Sequence, residues 1–80
     1  MAGSRLLAQG IDRRRAILRF VKAYAKKNGM APSIAEIAAG VELSSKTAVR
    51  HHLEVLRSEK YVDWIDGKYR SLRITNPDRY

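Results

Sequence analysis

The sequence predicts a mainly helical α+β domain in which three helices are followed by a C-terminal β-hairpin. Apolar residues recur at helical spacing in three successive segments. After Lys60 the pattern changes to a run of β-branched and aromatic residues that is typical of a strand, and Asp66-Gly67 follows as a hairpin-turn signal. From these signals we predict a flexible N-terminal arm at 1–10, a folded domain at 11–75 and a tail at 76–80.

The first helix is predicted to begin with Asp12 as its N-cap and to end near Asn28, just before Gly29. One face is apolar, with residues at helical spacing: Ile17, Phe20, Val21 and Tyr24. The other face is strongly basic and no acidic residue interrupts it: Arg13, Arg14, Arg15, Arg19, Lys22, Lys26 and Lys27. We therefore expect this helix to pack through one side and to present cations on the other.

Two further helices are predicted from their capping signals. Ser33-x-x-Glu36 is a capping box that opens a short helix after Pro32. Ser45 is the expected N-cap of a third helix at 46–59. In that helix one row of residues is expected to face the core: Val49, His52, Leu53 and Leu56. A second row is expected to face outward: Thr47, Arg50, His51 and Glu54.

The C-terminal part is predicted to form a β-hairpin from strands at 61–65 and 71–74. Trp64 is expected to pack within the hairpin. The order of helix, short turn, helix and hairpin indicates a three-helix winged helix-turn-helix, with the wing at 66–71.

The charge of the chain indicates a polyanionic partner. Sixteen basic residues stand against eight acidic ones, which gives a net charge of +8 and a pI of about 10.3. No apolar run approaches the ~20 residues of a membrane helix, and no secretory signal is visible. The chain has no cysteine, which excludes disulfide frameworks and thiolate metal sites. We predict a cytoplasmic protein.

The chain carries no catalytic motif, since neither a phosphate-binding loop nor a GxSxG or HExxH pattern occurs. His51 and His52 point to different faces of their helix and cannot chelate one metal from it. We predict that the chain is not an enzyme, and that it has no catalytic residues, no metal, no cofactor and no small-molecule ligand.

Double-stranded DNA is the predicted partner. In a helix-turn-helix the second helix of the pair lies in the major groove, and its N-terminal side chains reach the base edges. The candidate contacts on that helix are Ser45, Lys46, Thr47, Arg50 and His51. Those on the wing, for phosphate or the minor groove, are Lys68, Arg70 and Arg73. We expect the side chains of both Arg50 and Arg70 to be exposed.

Several motifs resemble one known family: Ile17-Leu18, NGMAPS at 28–33, AEIA at 35–38, Ser45-x-x-Ala48, His52-Leu53-x-x-Leu56, Asp66-Gly67 and Arg70-x-x-Arg73. Over 11–75 the chain resembles the N-terminal winged-helix DNA-binding domain of the LexA repressors. The resemblance implies a repressor-like transcription regulator and adds Ala48 to the DNA contacts. It does not imply an operator sequence, because familiar members carry acidic residues where Arg50 and His51 stand. The self-cleaving peptidase domain of the full repressors has no counterpart in these residues.

Other binding roles stay open. The main alternative is a winged helix that acts as a protein-interaction module within a larger nucleoprotein assembly. A membrane-surface role is disfavoured because no exposed amphipathic helix carries Trp or Phe at an interface, and RNA binding because the strands lack aromatic stacking motifs. We expect weak self-association in solution. Two copies could still bind a palindromic site as a homodimer, with half-site centres ~34 Å apart.

Overall fold

The computed structural model describes residues 2–43 and 45–76, and the side chains of 12–43 and 45–76. The helices are α1 (Ala2–Asn28), α2 (Ile34–Gly40) and α3 (Lys46–Ser58), and they are followed by strands β1 (Val62–Asp63) and β2 (Arg73–Ile74). The strands pair antiparallel, with Val62 opposite Ile74 and Asp63 opposite Arg73. The predicted fold class, three helices with a C-terminal hairpin wing, is confirmed.

The first helix begins earlier than predicted. The backbone is helical from Ala2, so the prediction of an N-cap at Asp12 is wrong, while the flexible arm at 1–10 stays a prediction. Residues 5–9 read Arg-Leu-Leu-Ala-Gln, all good helix formers, and one interior glycine, Gly10, costs a helix only about 1 kcal/mol relative to alanine. Met1 and residues 77–80 of the predicted tail lie outside the described residues.

The core lies where the three helices meet the base of the hairpin. Its most deeply buried members come from every helix and from β1: Ile17, Val21, Ile37, Val49, Leu56 and Val62. Phe20, Leu43 and Trp64 are partly buried against it. The inward row predicted for α3 is confirmed for Val49, Leu53 and Leu56. His52 is half-buried at the edge of the core.

Gly40, the last residue of α2, lies directly against α1. A Cβ atom on Gly40 would overlap the ring of Phe20. A side chain at position 40 would therefore have to displace the Phe20 ring. This contact, together with the core, fixes α2 against α1 at the point where the chain turns toward α3.

The hairpin has shorter strands than the sequence predicts, because side chains replace part of the ladder. The Trp64 amide donates to Asp63 Oδ1 at 2.9 Å, and the Ile65 amide donates to Ser71 Oγ at 2.9 Å. The turn at Asp66-Gly67 is confirmed: Lys68 N donates to Ile65 O at 3.0 Å. Gly67 has a φ of 78°, a left-handed conformation that suits glycine.

None of the described helices is long and apolar enough to cross a membrane.

Candidate nucleic-acid interface

Ser45 starts α3 in the way its sequence predicts. Its backbone is extended, and its Oγ accepts a hydrogen bond from the Ala48 amide at 3.3 Å. This cap satisfies one of the free amides in the first turn of the helix. The Ser45 hydroxyl can still donate its own hydrogen to an anion while it accepts this bond.

The polar side chains at the start of α3 are exposed and form no ion pairs with the described carboxylates. Four of the predicted contact residues are exposed: Lys46, Thr47, Arg50 and His51. Ala48 is half-buried beside them. None of the four forms an ion pair within the described part of the chain. Because the opposite side of α3 is fixed in the core, this row is presented on a rigid element.

A groove of about 580 Å³ separates α3 from the wing. Lys46 and Arg50 line it on the α3 side, and Lys68 and Tyr69 line it on the wing side. Ile37 and Leu53 also contribute to its surface. The structure therefore brings the predicted cations of the third helix and of the wing tip to one concave region.

The wing cations differ in how accessible they are. Lys68 is exposed, and the Arg73 side chain is 73% exposed, with its Nη2 3.9 Å from Asp63 Oδ2. Arg70, in contrast, is only 23% exposed. The expectation that the Arg70 side chain is exposed is wrong.

Arg70 instead joins the wing to the first two helices through what we term the Arg70 clasp: Arg70, Glu36, Tyr24 and the Ala31 carbonyl. Arg70 Nη1 donates to Glu36 Oε1 at 2.8 Å and to the Ala31 carbonyl at 2.9 Å, and Nη2 donates to Glu36 Oε2 at 3.2 Å. Tyr24 Oη donates to Glu36 Oε2 at 2.9 Å. The backbone of Arg70 has a φ of 58°, a left-handed conformation that is uncommon for a residue other than glycine.

Glu36 has two roles, of which the sequence revealed one. It completes the predicted capping box, since its Oε1 accepts from the Ser33 amide at 2.8 Å and its own amide donates to Ser33 Oγ at 3.1 Å. The hydrogen bond from Arg70 and then that from the Ser33 amide lower the pKa of Glu36 from 4.5 to about 2. The carboxylate is therefore charged throughout the neutral range.

Arg57 forms a second link that sequence reasoning missed. From the last turn of α3, its Nε donates to Asp63 Oδ1 at 2.9 Å and its Nη2 to the Trp64 carbonyl at 3.0 Å. The guanidinium lies 4.1 Å from the centroid of the Trp64 ring. The Trp64 amide and then Arg57 lower the pKa of Asp63. The predicted packing of Trp64 within the hairpin is confirmed: Trp64 Nε1 donates to Asp66 Oδ1 at 2.9 Å.

His52 of α3 is half-buried and lies close enough to Arg13 and Arg14 of α1 to be affected by their charges. Its Nδ1 is buried and has no hydrogen-bond partner among the described residues. Desolvation lowers the pKa of His52 below its ordinary value of 6.5, and the nearby charges of Arg14, His51 and Arg13 lower it further. Within residues 2–43 and 45–76 no cluster of three His, Cys, Asp or Glu residues is arranged to hold a metal ion.

The chain is similar to the DNA-binding domain of LexA repressors. A family model described as "LexA DNA binding domain" matches residues 9–71. The LexA repressor of Carboxydothermus hydrogenoformans is 43% identical over 58 residues, which cover 72% of this chain and 28% of that protein. Those of Frankia alni and Thermobifida fusca are 33% and 34% identical and cover 84% and 85% of this chain. The chain spans only about a quarter of the length of these curated relatives.

Proposed function

Because the chain belongs to the LexA DNA-binding domain family, we propose that it binds double-stranded DNA sequence-specifically, as the DNA-binding part of a transcriptional repressor. The observation that carries this proposal is the exposed start of α3. There a capped helix end and a row of unpaired polar side chains stand on the surface. We propose that the chain acts by binding alone, without catalysis, cofactor or metal.

In the proposed complex the helix predicted at 46–59 enters the major groove. Lys46, Thr47 and the hydroxyl of Ser45 bind phosphate at the helix N-terminus, where free amides favour an anion. Arg50 and His51 contact base edges, and the guanidinium of Arg50 suits guanine O6 and N7. The methyl group of Ala48 is available for an apolar contact such as a thymine methyl.

The wing, at 66–71, lies on the adjacent backbone or in the minor groove. Lys68 at its tip and Arg73 at its base are the cations that remain accessible for phosphate. Arg70 acts as a positioning residue, because its guanidinium already binds Glu36 and the Ala31 carbonyl. Its contribution to binding is to hold the wing beside α3.

Palindromic DNA is the proposed target for two copies of the domain. Half-site centres one helical turn apart, ~34 Å, would place both copies on the same face of the duplex. A DNA target in the chromosome also fits the cytoplasmic location predicted from the sequence.

Selection of bound sites from random duplexes, followed by titration at several salt concentrations, tests the proposal. With about five cations on phosphate, log K should fall against log salt with a slope of roughly −4 to −5. The selected site should bind more tightly than random duplex at every salt concentration. No binding at low salt, or a flat salt response, would overturn DNA binding and favour the protein-interaction role.

A further inference from the structure

The outer face of α1 carries a row of cations that the proposed reading surface does not use. The row, which we term the basic stripe, consists of Arg15, Arg19, Lys22 and Lys26. All four are exposed. At 100° per residue they fall within about 60° of one another around the helix, and at 1.5 Å per residue they extend over about 16 Å. They form one straight line of positive charge.

Within the described residues the stripe has no acidic partner. None of its four side chains forms an ion pair with a carboxylate whose position the structure describes. Like charges three and four residues apart destabilise a helix, so α1 carries a repulsion that a bound polyanion would relieve. Arg57 at the end of α3 and Arg70 in the wing are different, since each is paired with a carboxylate.

The stripe and the start of α3 face away from the same core. Ile17 and Val21 are buried and lie about 150° around α1 from the centre of the stripe. Val49 and Leu56 anchor α3 in the same core. The stripe and the α3 row therefore lie on the exposed faces of two different helices, and a ligand on the stripe need not occupy the α3 row.

We propose, on the premise that α3 binds DNA, that the basic stripe binds the phosphate backbone of a second duplex without regard to sequence, so that one domain bridges two DNA segments. Phosphate contacts need only correctly placed Lys and Arg. A protein partner would need a buried apolar or aromatic anchor, and a membrane surface would need apolar side chains to insert. Among the residues whose side chains the structure describes, the large exposed hydrophobic ones are Met30, Ile65 and Tyr69, and none of them belongs to the stripe.

The size of the domain permits both duplexes to bind together. Its two shorter dimensions are 26 and 24 Å. The Debye length at physiological salt is about 8 Å, so phosphates of two duplexes held farther apart than this repel each other only weakly. Occupation of α3 should leave the stripe free to act.

The test measures bridging with the 80-residue chain. Bead-bound duplex carrying the selected site is incubated with the protein, and capture of a fluorescent random-sequence duplex is recorded. Arg19→Glu/Lys22→Glu should reduce capture about tenfold or more, while affinity for a single selected duplex changes less than about threefold. The matched control is Lys27→Glu/Lys60→Glu, which changes the net charge equally at exposed residues outside the stripe and should reduce capture far less. Circular dichroism checks that both proteins are folded, and Arg19→Gln/Lys22→Gln provides a milder variant.

Three results would overturn the inference. If the wild-type protein binds the selected site but captures no random-sequence duplex, the second site does not exist and the proposed function is unaffected. Capture that survives charge reversal shows that bridging has another origin, such as protein dimers. Preferential binding of poly-glutamate over duplex to the stripe would identify an acidic protein as the ligand. If the wild-type protein bound no duplex at all, in contrast, both the proposed function and the inference would be wrong.

Discussion

Arg50 on α3 and Arg70 in the wing are chemically identical, yet the structure gives them opposite surroundings. Arg50 is exposed and unpaired among the described residues. Arg70 is 23% exposed and binds both oxygens of Glu36. One guanidinium is available to a ligand and the other is used to hold the fold. The comparison shows that a basic wing is not necessarily a wing whose cations all reach DNA.

The difference originates in Glu36. This carboxylate is fixed at the start of α2 by the Ser33 capping box, and its Oε1 lies 2.8 Å from Arg70 Nη1 in the wing. Arg50 faces the groove and has no such carboxylate within ion-pair distance in the described chain. The position of one acid therefore decides which arginine remains free.

The largest effect is expected from Arg70→Ala. It removes four hydrogen bonds and leaves the Glu36 carboxylate without its cation, so the urea midpoint of unfolding should fall and every duplex should bind more weakly. Arg73→Ala is the matched control, since it removes a wing arginine that is 73% exposed and should hardly change the midpoint. An Arg70→Ala protein as stable as wild type would show that the clasp does not hold the wing.

The next effect is expected from Arg50→Ala. Loss of a bidentate contact should cost about 1–3 kcal/mol at one or two base pairs of the selected site. Because Arg50 is exposed, the free energy of unfolding should change by less than about 0.5 kcal/mol. Affinities for the selected site, its single-base variants and random duplex test this. Unchanged base preference would show that Arg50 does not read sequence.

A smaller effect is expected from acid, through His52 on the core side of α3. Burial lowers its pKa below 6.5, so the folded state binds fewer protons than the unfolded state. Its contribution to stability is complete above pH 6.5 and is lost as pH falls below that value. His52→Leu should flatten the fall in the urea midpoint that begins just below pH 6.5.

Glu36→Gln is the comparison for that pH experiment. The pKa of Glu36 is lowered to about 2, so its contribution is lost only as pH falls from about 4.5 toward 2. Glu36→Gln should still show the fall in the urea midpoint near pH 6, but its fall in the urea midpoint at lower pH should be smaller. If His52→Leu and Glu36→Gln changed the urea midpoint over the same pH range, the assignment of the two pH ranges to His52 and Glu36 would be wrong.

The smallest effect is expected from Lys68→Ala. This exposed residue at the wing tip makes no ion pair in the described chain, so its removal should not affect folding. Binding should weaken by a similar factor on all sequences, and the slope of log K against log salt should become shallower by about one. A change in base preference would instead assign Lys68 a reading role.

The sequence predicts those features of this chain that depend on neighbours within a few residues. The caps at Ser33 and Ser45 and the turn at Gly67 all involve groups two to four positions apart, and each occurs as predicted. The Arg70–Glu36 pair joins residues 34 positions apart, and no local pattern marks it. The strands were overestimated for a similar reason, because Ser71 Oγ replaces a ladder bond at Ile65.

The outward row of α3 could be predicted because helical periodicity divides it from the core residues. Whether a cation in that row or in the wing is free depends on tertiary contacts, and composition does not reveal them. Tyr24 shows this: its helical spacing predicts a core residue, and its hydroxyl donates to Glu36. The roles of the site residues in DNA binding stay predictions, for which Arg50 and Lys68 offer the most direct tests.

The Phe20 ring, which lies against Gly40, is far from the first residue of α1, so a small tilt of the helix at Phe20 would move that end a long way. Residue 2 lies 18 residues before Phe20, about 27 Å along the helix axis. If a side chain at position 40 tilted α1 by ten degrees about this contact, the far end would move by about 5 Å. Such a tilt would change the direction in which a 27-residue helix extends from the domain, and with it the positions of the cations along its length.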